Sequence, residues 1–102
     1  MVTLAFLSEL RQRMRIEGSE FDSELKALIE AARAELRRAG IRRSCVNEEQ
    51  DALITEAIVT YVKAEFGLTE AKERQGYSDA FESKCRKLAL SSDYLEKKRG
   101  GG

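Results

Sequence analysis

The sequence contains no histidine. That absence removes Ser-His-Asp and Cys-His nucleophilic sites and the HExxH zinc motif, each of which needs an imidazole. No GxxxxGK[ST] or GxGxxG loop is present to cradle phosphates. Proline and tryptophan are also missing. Without proline every backbone N–H can donate, which favours uninterrupted helices. The two cysteines, Cys45 and Cys85, lie far apart with no CxxC or zinc-finger spacing. They read as reduced thiols of a cytosolic product. No apolar run approaches the roughly 20 residues that a membrane span needs. Met1 to Leu10 has neither the basic start nor the apolar core of a signal peptide. Neither sign of charge prevails, since 18 basic residues balance 18 acidic ones. A protein that grips DNA over its whole surface is strongly basic, so any nucleic-acid contact here would be local. These absences point away from an enzyme, a cofactor, a metal centre and a membrane protein.

What is present favours helices. Alanine, leucine, glutamate, lysine and arginine dominate, and these are strong helix formers. The 102 residues suffice for one domain with a single modest core. The expected fold is all-α, a small bundle of three to four helices with a flexible C-terminal tail. Residues 1–95 would form the helical domain and 96–102 a basic, glycine-ended tail.

Along the chain, Thr3 is a suitable N-cap for a helix over Leu4 to Met14, with Leu4, Leu7, Leu10 and Met14 as its apolar stripe. Ser19 and Asp22 form a capping-box variant ahead of a second helix of about 20 residues. Its buried face is Phe21, Leu25, Leu28, Ile29, Ala32 and Leu36, and Gly40 ends it. Ile41 to Val46 reads as a linker. Asn47 and Gln50 then make a second capping box before an apolar helix over Asp51 to Phe66. That helix is apolar over a wide arc, which marks it as the central one. Leu68 to Gly76 reads as a polar connection with room for one turn, and a last helix runs from Ser78 to Leu90 with Phe81, Cys85 and Leu88 inward.

Three groups of residues are candidates for function. Arg33, Arg37, Arg38, Arg42 and Arg43 form a basic cluster suited to phosphate or acidic partners, in a subunit interface or facing DNA. Glu48, Glu49 and Asp51 form an acidic cluster that could meet a basic edge on a neighbouring copy. Both groups also fit the ordinary placement of charge at helix ends, and that reading stays open. Tyr94, Leu95, Lys97, Lys98 and Arg99 make an amphipathic, basic tail suited to docking a partner, or a frayed terminus. The carboxylates Glu48/Glu49 and Glu70/Glu73 read as solvated helix faces rather than an acid–base pair.

Several segments in one order carry a resemblance. These are Leu10 to Ile16 with its Met14-Arg15-Ile16 triplet, the acidic Glu17 to Asp22, and Leu28 to Arg33. The apolar helix Asp51 to Phe66 and the closing Tyr77 to Tyr94 follow, with Ala80-Phe81-Glu82 and Leu90-Ser91-Ser92-Asp93-Tyr94. The chain resembles the head–tail connector, or adaptor, proteins of long-tailed bacteriophages and prophages over roughly residues 4–95. The resemblance implies a virion structural protein made in the bacterial host cytoplasm and placed at the head–tail interface. It implies a homo-oligomeric ring of about twelve subunits beneath the portal protein, a form that head-to-tail contacts close. Such a ring extends the DNA channel, serves head completion and DNA packaging, and offers a platform to the tail or a stopper protein. Basic residues facing the channel would touch DNA without reading sequence. Two other readings remain: a small helical DNA-binding regulator of the helix-turn-helix kind, and a helical protein–protein adaptor.

Overall fold

The structure, a computed structural model, describes residues 2–95. Thr3 starts the first helix, its hydroxyl accepting the Phe6 N–H at 3.1 Å, and α1 runs Leu4–Met14. Arg15 closes α1 in the left-handed region at φ 58°, with Ile16 N–H donating to Arg11 C=O at 2.9 Å. This is the Schellman pattern, with arginine where glycine is usual. Leu7 and Leu10 are fully buried as expected, but Leu4 is exposed and Phe6 takes its place in the core. The buried face of α1 is therefore Phe6, Leu7 and Leu10.

The second helix, α2, spans Asp22–Arg38. It starts later than the Ser19 box suggests. Phe21 occupies the cap position without a side-chain cap bond, and its ring packs edge-on to Phe66 with centroids 5.5 Å apart. An aromatic contact to the core thus sets the start in place of a hydroxyl cap. Leu25, Ile29, Ala32 and Leu36 are fully buried at the expected spacing. Gly40, at φ 101°, turns the chain out of α2.

The supposed linker holds a fifth helix that a three- to four-helix bundle leaves out. This is α3, the single turn Arg43–Val46, which buries Val46 beside Ile41. Asn47 ends α3 rather than starting the next helix. The cap of α4, Ala52–Glu65, is Asp51, whose carboxylate accepts Leu53 N–H at 2.9 Å and Ile54 N–H at 3.1 Å. Central position follows from composition: α4 packs against α1, α2 and α5 and buries Ile54, Ala57, Ile58, Val59, Val62 and Ala64.

The last helix, α5, runs Ala71–Ala89 and passes straight through Gly76. Glycine in a helix interior costs about 1 kcal/mol relative to alanine, which is why the sequence suggests a break there. Arg74 offsets that cost. Its guanidinium donates to Ala64 C=O at 3.1 Å and to Phe66 C=O at 2.7 Å, which also accepts the Thr69 N–H, at the end of α4. One side chain therefore anchors the start of α5 to the end of α4. Tyr61 and Phe81 pack edge-on further along, centroids 5.1 Å apart.

Among the described residues the fold is all-helical apart from one isolated antiparallel bridge, Ile41 with Leu95. The molecule is a flat slab of 48 × 30 × 18 Å. Its thickness is that of two helix layers, at roughly 8–10 Å between packed axes.

Candidate functional site

The five arginines of the basic cluster do not share one face. Arg33 points inward and is 5% exposed. It donates to Glu30 Oε1 at 3.2 Å and to Glu49 Oε2 at 3.1 Å, and its guanidinium carbon lies 5.6 Å from the Phe6 ring centroid. Glu49 also accepts from the Thr3 backbone N–H at 3.2 Å and from the Thr3 hydroxyl. One charged knot thus ties the start of α1, the middle of α2 and the loop before α4. Burial alone would push the Glu49 carboxyl up. The Thr3 and Arg33 bonds outweigh it and hold the group below its ordinary value.

Arg37 donates to the Ile41 carbonyl at 2.9 Å, closing the end of α2. Arg38 is largely exposed and lies 3.6 Å from Glu35, a surface pair of small energetic weight. Arg43 is exposed. Arg33, Arg37 and Arg43 border one shallow depression of about 190 Å³, while Arg38 lines a different groove. Arg42 turns the other way, towards the chain's C-terminal segment.

That segment is clasped. Arg42 N–H donates to Tyr94 C=O at 2.7 Å, and the Arg42 side chain donates to Asp93 C=O. The Tyr94 hydroxyl donates to Asp51 at 3.0 Å. Leu95 pairs with Ile41 and rests 3.6 Å from the place a Cβ on Gly40 would occupy. Burial, then the bond to Asp51, raises the Tyr94 phenol above its ordinary value. Tyr94 and Leu95 therefore form a short strap against the α2–α3 corner. The remaining tail candidates, Lys97, Lys98 and Arg99, lie outside the described residues.

The acidic cluster is divided in the same way. Glu49 belongs to the Arg33 knot. Asp51 caps α4 with one oxygen and holds Tyr94 with the other. Glu48 alone of the three is exposed, and among the described residues its side chain accepts only the nearby Gln50 N–H, at 2.9 Å.

Two grooves escaped sequence reasoning. A cavity of about 440 Å³ lies between α2, α4 and α5, lined by Tyr61, Phe81 and Cys85 together with charged residues of both signs, among them Glu35, Glu82, Arg38 and Arg86. Burial, followed by Glu35 and Glu82, pushes the Cys85 thiol up to about 11. A second groove, of about 390 Å³, lies between the start of α4 and the end of α5. Its sequence signal is Leu53, an apolar residue two places after the Asp51 cap, which is 58% exposed. Among the described residues no group of three or more potential metal ligands gathers, and no helix is long and apolar enough to cross a membrane.

The family model described as phage connector protein matches residues 6–94, nearly the whole described span. Neither the curated proteins nor the solved structures yield a match.

Proposed function

This chain belongs to the phage connector protein family, and on that premise we propose that it is a ring-forming head–tail connector subunit, joining the portal vertex to the tail and extending the DNA channel. The observation that carries the reading is the family match across residues 6–94, which takes in α1 from its third residue, the other four helices whole and the first residue of the strap. The work is geometric rather than catalytic. Charged side chains that could have served chemistry are used as internal ties: Arg33 with Glu49, Arg74 with the α4 carbonyls, Arg42 with the strap.

Such ties favour a subunit that keeps its shape under load. Copies related by a head-to-tail contact close into a ring when the rotation permits. The exposed arginines Arg38 and Arg43 are available for channel phosphates, with affinity falling steeply as salt rises. The portal protein would meet one rim of the ring and the tail or a stopper protein the other.

Electron microscopy of particles carrying a gold-labelled chain tests the proposal. Label confined to the head–tail vertex supports it. Label spread over capsid faces, or at the distal tail tip, overturns it.

A further inference from the structure

Residues 42–48 hang between two fixed posts. The first is Ile41, whose side chain is fully buried. Its N–H donates to Leu36 C=O at 3.1 Å and its C=O accepts from Arg37 at 2.9 Å, so α2 holds both of its backbone groups. The second post is Glu49, gripped by Arg33 and Thr3. Between them lies α3, a single turn of four residues with one buried side chain, Val46. Its cap residue, Arg42, makes no side-chain cap bond. A lone turn fixes several backbone angles for very few hydrogen bonds, so it is unfavourable by itself.

The strap crosses this suspended segment. The Arg42 N–H donates to Tyr94 C=O at 2.7 Å. The Asp93 C=O accepts from the Arg42 guanidinium and faces Cys45 Sγ at 3.7 Å. Arg42 also reaches Cys45 Sγ at 3.4 Å, so carbonyl, guanidinium and thiol meet at the start of α3. The Tyr94 hydroxyl reaches past the second post to Asp51 at 3.0 Å. Leu95 pairs with Ile41 and rests against Gly40, ahead of α3. The strap thus touches the chain before α3, at its cap, within it and beyond it. Asp51 caps α4 through its other oxygen, so α4 keeps its cap when the strap leaves.

We propose that the segment Asp93 to Leu95 is a detachable latch that holds α3 in its helical turn. With the latch off, residues 42–48 open as one unit, while the two posts keep α2 and α4 in place. Such local openings lie below the free energy of global unfolding. Opening also frees the Arg42 guanidinium, which the closed latch occupies. A partner that takes up Tyr94 and Leu95 therefore loosens the corner and releases a cation in one step. The latch is a property of the single chain and does not depend on the ring reading.

Amide hydrogen exchange on the full chain, read residue by residue by NMR, tests it. The N–H groups of Arg42, Cys45, Val46, Asn47 and Glu48 are all hydrogen-bonded. In the unmodified chain they should share one opening free energy, well below that of Ile58 and Val62 in α4 and insensitive to low urea. Tyr94→Ala with Leu95→Ala should speed exchange at Val46 and Asn47 by about tenfold or more, the effect of losing one hydrogen bond and an apolar contact. Exchange at Ile58 and Val62 should not change. Both substitutions lie far from α3 in sequence, so an effect on Val46 and Asn47 travels through the strap. Val46 and Asn47 exchanging at the α4 rate in the unmodified chain, or at unchanged rates in the double variant, overturns the latch. Equal acceleration at Ile58 and Val62 also overturns it, since the strap would then support the whole fold and not one corner.

Discussion

Replacing Arg33 with methionine should destabilise the fold by about 3 kcal/mol. The guanidinium is 5% exposed and makes two ion pairs of very different weight. Glu30 is 56% exposed at its side chain, so that pair contributes at most about 0.5 kcal/mol. Glu49 is 17% exposed and is the partner that matters. Breaking a buried pair by removing one member costs about 3–5 kcal/mol, because the other charge is left uncompensated. Methionine keeps contact with Phe6, and Glu49 keeps its Thr3 bonds, which places the loss at the lower end. Urea unfolding followed by circular dichroism should show the midpoint falling by about 2–3 M, for a slope near 1 kcal/mol per M. A cycle with Glu49→Gln should return a coupling of about 1.5 kcal/mol or more. The pH dependence has a fixed sign. Glu49 is held below its ordinary value, so its contribution is present above pH 4.5 and is lost as pH falls through the lowered folded value. The gap between the unmodified chain and Glu49→Gln should close across that window. A shift under about 0.5 kcal/mol for Arg33→Met, or no coupling, would refute the view that this knot holds α1, α2 and the loop together.

Gly76→Ala should stabilise by about 0.8 kcal/mol, since a Cβ there meets nothing within 4 Å and the residue sits inside α5; thermal unfolding reads the gain. Cys85, with its thiol pushed up to about 11 from an ordinary 9.0, should alkylate at pH 8 about a hundredfold more slowly than a free thiol, as peptide mapping after timed iodoacetamide exposure would show. The raised Tyr94 phenol supports the strap below pH 10 and withdraws that support as pH rises through its folded value. Tyr94→Phe should remove this alkaline dependence, and hydrogen exchange at Arg42 N–H should quicken in the variant because its acceptor is the Tyr94 carbonyl.

Much of the fold was legible because its signals are local. Thr3 followed by apolar residues three or four apart marks α1, and Leu25, Ile29, Ala32 and Leu36 mark the buried side of α2. The start of α4 was harder. Asn47-Glu48-Glu49-Gln50 has the composition of a capping box, yet Asp51 wins with two short bonds to the backbone. The length of α5 was hidden because Arg74 reaches carbonyls 8 and 10 residues back, outside any periodic pattern. The candidate site was less legible still. Arg33 falls among the apolar residues of α2, but its partner Glu49 lies 16 residues on, and nothing in the spacing links them. Arg42 and Tyr94 meet across half the chain, a pairing that folding alone brings about. Charge runs along the sequence were therefore divided between interior ties and solvent by tertiary packing.

The most direct measurement of the central claim is native mass spectrometry of the unmodified chain over a wide concentration range at low and moderate salt. Ring formation predicts a closed species of about twelve subunits appearing as concentration rises, with few intermediates, because closure adds a contact that open chains lack. A discrete dimer that binds duplex DNA would contradict it and place the chain among small helical regulators instead.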